Sequence, residues 1–245
     1  MELAADIFVW LLAVDDLIVE APETTPADLA AEIASFVSVL ATGSRSASTG
    51  FVKALGELAV RMRDVLTPEQ SGRVRATLHE LFLAWLWEAT ASTGPISLDE
   101  YTTMRPHTAF GYMVVTLMEP GNGLDLPAAL LDQSEIRDLN RHLARLSGWT
   151  NDLISFGYEQ QQFAGVPQTL PLILARERRR HVSEALVEAA HLRDTEAEAA
   201  CRLIARLATS TVPQAAAYAA AARIAIASAE HQYTGAAQRY GTPPR

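Results

Sequence analysis

Two groups of oxygen-bearing side chains have the types and spacing to hold a divalent cation. Asp15 and Asp16 close an apolar run that begins at Leu3, and Glu20 stands four residues past Asp16, on the same face of a helix. Adjacent carboxylates repel, and in a buried setting one stays protonated unless a cation neutralises the pair. A hard ion with oxygen ligands meets that need. A helix end emerging into water, its acids merely solvated, is the other reading, and these residues by themselves leave both open. The second group is Asn151, Ser155 and Glu159. Recurring every four residues, they set amide, hydroxyl and carboxylate oxygens along one helical stripe, a donor set suited to magnesium. An exposed polar face is the alternative, but Trp149, Leu153, Ile154 and Phe156 make the neighbourhood unusually apolar for three such oxygens.

The elements that must position these residues are helical throughout. Apolar residues recur with helical period almost everywhere, and no stretch alternates like a strand. The pattern predicts helices over 3–20, 27–41, 50–65 and 67–92, a pair within 97–118, a long helix over 132–163, and further helices over 168–190, 194–211 and 213–238. Thr25-Pro26, Thr67-Pro68, Asp132 and Val212-Pro213 supply start signals. Ala41 to Gly50 and Glu119 to Pro127 read as loops. No repeat or linker divides the chain, so the expectation is an all-α, single-domain helical bundle over residues 1–245.

Composition narrows the chemistry. Of 245 residues, 49% are hydrophobic, enough for a substantial core, and the formal net charge is −9. That argues against a nucleic-acid partner, whose phosphates call for a basic surface. A small anionic substrate is still compatible, because carboxylates can hold one through a bridging cation. The lone cysteine, Cys201, rules out an intramolecular disulfide and a thiolate metal site. The run from Leu3 to Val14 lacks a basic flank and is too short to span a bilayer, so a cytoplasmic protein without a membrane anchor is expected.

Taken together, the two motifs resemble the aspartate-rich motif and the Asn-Ser-Glu triad of bacterial class I terpene synthases, in the same order and at a similar separation. That resemblance implies a class I terpenoid synthase bundle in which two facing helices bind three magnesium ions around an isoprenyl diphosphate. It implies Asp15 as the first metal ligand, with Asp16 and Glu20 in support, and Asn151, Ser155 and Glu159 as ligands of the second site. The segment Tyr101-Thr-Thr-Met-Arg105-Pro-His-Thr108-Ala109 is similar to the family's diphosphate sensor and helix break. Pro106 cannot continue a regular hydrogen-bond ladder, so a kink near Arg105 is expected. By the resemblance Arg105 grips diphosphate, Thr108 is the linker, and the Ala109 carbonyl meets the newborn cation. Arg239-Tyr240, near the end of the last helix, is similar to the Arg-Tyr pair that closes over diphosphate.

Two features depart from the family pattern. Tyr158 stands where family members carry a Lys or Arg that contacts diphosphate. It offers one hydrogen bond and no charge. The basic run Arg176, Arg178, Arg179 and Arg180 is a conceivable substitute, although a solvated helix face is the plainer reading. The aspartate motif also begins at residue 15 where family members carry additional helices before it, so the resemblance implies an N-terminally short chain. The function expected is magnesium-dependent ionisation and cyclisation of an isoprenyl diphosphate, farnesyl diphosphate first and geranyl diphosphate next, with a possible homodimer. A silent relative serving as a helical binding module is the alternative. Phe8, Phe82, Trp85, Phe110, Phe156 and Tyr233 are aromatic candidates for the cavity wall, and none is assigned a role.

Overall fold

Helix boundaries follow from local capping chemistry. In the computed structural model, residues 2–43, 50–91, 94–162 and 168–235 are described, and among them every regular element is helical, as expected. Thr25 caps α2 (Pro26–Thr42): its Oγ1 accepts the Asp28 N–H at 3.2 Å while the Asp28 carboxylate accepts the Thr25 N–H at 3.2 Å. This reciprocal box satisfies two donors that a helix start otherwise leaves orphaned. Gly43 ends α2 in the left-handed region, at φ 65°. Thr67 and Gln70 form a similar pair at the start of α4 (Pro68–Ala91), and Ser97 and Glu100 do so for α5 (Leu98–Thr108).

The chain divides into two compact units, residues 1–90 with 120–125, and residues 91–119 with 126–245. In the first, α1 (Glu2–Val14) and α2 both pack on α3 (Gly50–Val65). Trp10, Phe36, Phe82 and Trp85 form a chain of ring contacts with centroids 5.1, 5.6 and 5.8 Å apart. Each such pairing adds about 0.5–1.5 kcal/mol beyond its area burial. Two of the aromatic candidates, Phe82 and Trp85, are therefore core. After α1 the chain does not stay α-helical to residue 20: Asp15–Val19 is a π-helical turn, closed by the Glu20 N–H on the Asp15 carbonyl at 2.9 Å.

In the second unit α8 (Ser134–Gln162) is the central helix. It packs against α5, α7 (Ala128–Leu131), α9 (Leu170–Arg178), α10 (Val182–Ala208) and α11 (Pro213–Gly235). Ala215, Ala219 and Ala222 are buried on α11, where small side chains let helices approach closely. α6 (Gly111–Gly121) begins against α8: a Cβ on Gly111 would sit 2.3 Å from the Ala144 carbonyl oxygen, so only glycine fits there.

Four boundaries differ from expectation. The helix break expected near 190–194 lies at 179–181, where Arg179 takes a left-handed conformation (φ 50°) and His181 caps α10. Asp194 and Thr195 sit inside α10, their capping preference overridden by its buried alanines and leucines. Asp132 ends the short α7 and does not start α8. The loop expected from Glu119 begins later, because α6 tolerates Pro120 in its final turn. Finally, Pro106 lies within α5, and the break comes three residues on, at Ala109 and Phe110 (φ 57°).

Candidate active site

In the first unit, Asp15 opens the π-helical turn and is half-buried, while Asp16 and Glu20 are exposed. The Asp15 Oδ1 accepts the indole N–H of Trp85 at 3.1 Å. Trp85 is fully buried, and a buried indole N–H is costly without an acceptor. The bond therefore serves both partners: it satisfies the indole and fixes the carboxylate rotamer. π-turns are rare and frequent at functional sites.

In the second unit, Arg105 on α5 reaches α8. Its Nε donates to Asp152 Oδ1 at 2.9 Å, and its Nη2 donates to Asn151 Oδ1 at 2.8 Å while lying 2.7 Å from Asp152 Oδ1. The sensor candidate and the first residue of the second motif are thus in direct contact. Asp152 Oδ2 also accepts the Leu170 N–H at 2.7 Å and the Tyr101 phenol. Burial, and next the charge of Asp152, push the Tyr101 phenol well above the usual tyrosine range, with Arg105 opposing.

Ser155, one turn after Asn151, is buried, and its hydroxyl donates to the Asn151 backbone carbonyl at 2.8 Å. That donation commits the hydroxyl proton to the helix and keeps the oxygen an acceptor. Asn151 Oδ1 and Ser155 Oγ are hard, neutral oxygens one turn apart, and this donor set fits magnesium, which takes few protein ligands alongside substrate phosphates. Among the described residues no three His, Cys, Asp or Glu side chains group to hold a metal ion. Glu159 lies on α8 by its backbone, and its side chain falls outside the described residues, as do Arg239 and Tyr240 entirely.

Thr108 is buried at the end of α5, and Ala109 caps that helix. The Ala109 carbonyl faces the Ser147 hydroxyl at 3.5 Å. Gly148 permits this approach, since a Cβ there would lie 3.0 Å from Arg105 Cγ and 3.2 Å from Ala109 Cβ. Tyr158 is 39% exposed. Three of the four arginines of the basic run are occupied elsewhere: Arg178 and Arg180 pair with Glu188 at 2.7 and 3.5 Å, and Arg176 donates to the Ile96 carbonyl. Sequence reasoning gave Asp152 and Trp85 no role in positioning. For Asp152 a signal existed: it stands one turn after Gly148 and Trp149, both buried, and an acid on a buried helix face calls for a partner.

The family model described as "Terpene synthase family 2, C-terminal metal binding" matches residues 6–199. The labda-7,13(16),14-triene synthase of Streptomyces clavuligerus is 45% identical over 232 residues, covering 94% of this chain and 68% of that protein. The (12E)-labda-8(17),12,14-triene synthase of Streptomyces anulatus is 33% identical, covering 87% of this chain and 68% of its own length. The chain thus spans about two thirds of these relatives. In fold it is similar to 2-methylisoborneol synthase from Streptomyces coelicolor A3(2), solved with Mg2+ and geranyl-S-thiolodiphosphate, at a TM-score of 0.85 and 20% identity over 98% of this chain and 78% of that one.

Proposed function

The chain belongs to the terpene synthase family, a family of lyases, and we propose that it ionises an isoprenyl diphosphate with loss of diphosphate, using magnesium. The observation that carries this reading is the contact of Arg105 with Asn151, a planar cationic donor beside hard oxygen ligands. A guanidinium fork matches phosphate oxygens and keeps its charge at any working pH.

Asp15, with Asp16 and Glu20, and Asn151, Ser155 and Glu159 are the residues that would hold the ions. When bound, magnesium supplies charge stabilisation for the leaving diphosphate. Arg105 adds hydrogen bonds to the same developing charge. Tyr158 and the Arg239-Tyr240 pair are further diphosphate contacts in this proposal. The Ala109 carbonyl, at the open end of α5, presents a negative dipole to the allylic cation, and Thr108 fixes its direction.

The relatives shift the choice of substrate. The family resemblance alone points to farnesyl diphosphate, but both similar synthases are named for labdatrienes, bicyclic diterpene hydrocarbons. Their third double bond is what loss of diphosphate and one proton leaves from a bicyclic labdadienyl diphosphate. We therefore place diterpene-sized allylic diphosphates carrying a preformed decalin first, and farnesyl diphosphate after them.

The test is incubation of the purified chain with labdadienyl, geranylgeranyl, farnesyl and geranyl diphosphates, with magnesium or a chelator, followed by gas chromatography–mass spectrometry. A labdatriene from the bicyclic substrate, lost on chelation and in Asn151→Ala, is the expected result. A hydrocarbon from farnesyl diphosphate alone returns the substrate to the sesquiterpene class. No diphosphate released from any of the four would overturn the proposal in favour of a silent relative.

A further inference from the structure

Asp152 stands inside the second motif yet is sealed from solvent, with 0% side-chain exposure. Its Oδ1 is occupied by the Nε and Nη2 of Arg105, at 2.9 and 2.7 Å, and its Oδ2 by the Leu170 N–H and the Tyr101 phenol. Four donors fill the acceptor capacity of a carboxylate, so Asp152 cannot serve as a metal ligand although Asn151 beside it can. A buried carboxylate is retained only when its partners compensate the loss of water. Docking α5 and α9 to α8 needs one oxygen, and that oxygen takes Tyr101 and Leu170. The other is given entirely to Arg105.

We propose that Asp152 is a positioning residue for Arg105, holding the guanidinium by its Nε edge so that it meets diphosphate in one orientation. The inference rests on the proposed function and deepens it by assigning what aims the sensor arginine. The stem of Arg105 is held as well: it crosses α8 at Gly148, where a Cβ would come within 3.0 Å of Arg105 Cγ. An arginine side chain has large rotamer freedom to lose, and a fork fixed at stem and head loses it before substrate arrives. The Leu170 N–H, an orphan donor at the start of α9, in turn anchors Asp152 to a second helix.

The experiment is calorimetric titration of inorganic diphosphate, in magnesium buffer, into the wild type, Asp152→Asn, Tyr101→Phe, Arg105→Ala and the double variant of Asp152→Asn with Arg105→Ala. Loss of a supporting contact of this kind typically weakens binding roughly 10–100-fold, and that is expected for Asp152→Asn. The double variant is expected to bind no more weakly than Arg105→Ala. Tyr101→Phe is the control for packing, expected to lower the melting temperature while weakening diphosphate binding less than Asp152→Asn does. Asp152→Asn that loses stability but keeps its affinity, or losses that multiply in the double variant, would overturn the proposal. Should Asp152→Asn fail to fold, the Arg105 Nε–H resonance of the wild type decides by NMR. It should remain protected from exchange when diphosphate and magnesium saturate the protein, and loss of protection overturns the anchor. A wild type that binds no diphosphate strikes at the proposed function itself and takes the inference with it.

Discussion

The indole N–H of Trp85 donates to Asp15 Oδ1 across 3.1 Å, joining the middle of α4 to the first residue of the π-helical turn. The bond crosses seventy positions of sequence and ties the aspartate motif to the aromatic core. In Trp85→Phe the ring remains and the donor goes. The expected stability loss is about 1–3 kcal/mol from the lost bond and reduced ring volume, read by urea denaturation. The magnesium concentration for half-maximal diphosphate release should rise severalfold as Asp15 loses its orientation. An unchanged magnesium requirement would remove Trp85 from any role in positioning.

Tyr101 predicts an alkaline limit to stability. Its folded pKa is raised, by burial first and Asp152 second, so as pH rises the unfolded chain gives up this proton before the folded one does. The stabilisation is fully present below the unfolded value of about 10 and is lost as pH climbs from there towards the folded value. Thermal denaturation between about pH 8 and 11 should show a steeper decline in the wild type than in Tyr101→Phe. Parallel curves would count against the buried phenol.

The two glycines at the contacts of α8 with α5 and α6 should respond differently to a single methyl group. Gly111→Ala puts its Cβ against backbone, 2.3 Å from the Ala144 carbonyl oxygen, and neither helix can yield locally. Overpacking of that kind costs about 1–3 kcal/mol or more, visible as a lower urea midpoint. In Gly148→Ala the nearest atom is Arg105 Cγ at 3.0 Å, a side-chain atom, so the added methyl displaces the held guanidinium stem before it displaces backbone. Its stability loss should be smaller and its loss of diphosphate affinity larger than for Gly111→Ala.

Glu196 offers a contrast far from the motifs. It is nearly buried on α10 and accepts from His142 at 2.5 Å and Arg145 at 3.3 Å on α8. Glu196→Ala leaves two α8 donors without their carboxylate, and the expected cost is about 1–3 kcal/mol. The magnesium requirement should not change. A shift in that requirement would show that the α8–α10 contact reaches the second motif.

Helical periodicity and cap chemistry made most of this fold legible, because a helix is specified by residues three or four apart. Thr25, Thr67 and Val212-Pro213 announced their helices for that reason. What escaped depends on partners distant in sequence. The break at Arg179 is one case: four arginines and no Gly or Pro give no local stop signal, and the turn is fixed by Arg178 and Arg180 reaching Glu188 on the next helix. Asp152 is another. Its type suggested a motif neighbour, and only its place one turn after Gly148 and Trp149 hinted at three helices converging on it. The π-turn left no local mark, since Asp15 to Val19 carries nothing that an α-helix refuses.

That turn has a consequence for how the chain tolerates changes in length. A π-turn is an α-helix carrying one surplus residue, so a single deletion within Asp15–Val19 would restore a regular ladder and keep the helix intact. The wide turn is what absorbs that residue, so the helix on either side would keep its bearing while the side chains within the turn close up. Removing Leu17, Ile18 or Val19 would bring Glu20 to three positions after Asp16 instead of four, and the angle between those two carboxylates would change. The aspartate motif is encoded here in a count of residues as much as in their kinds, and a deletion that spares every acid would still break it.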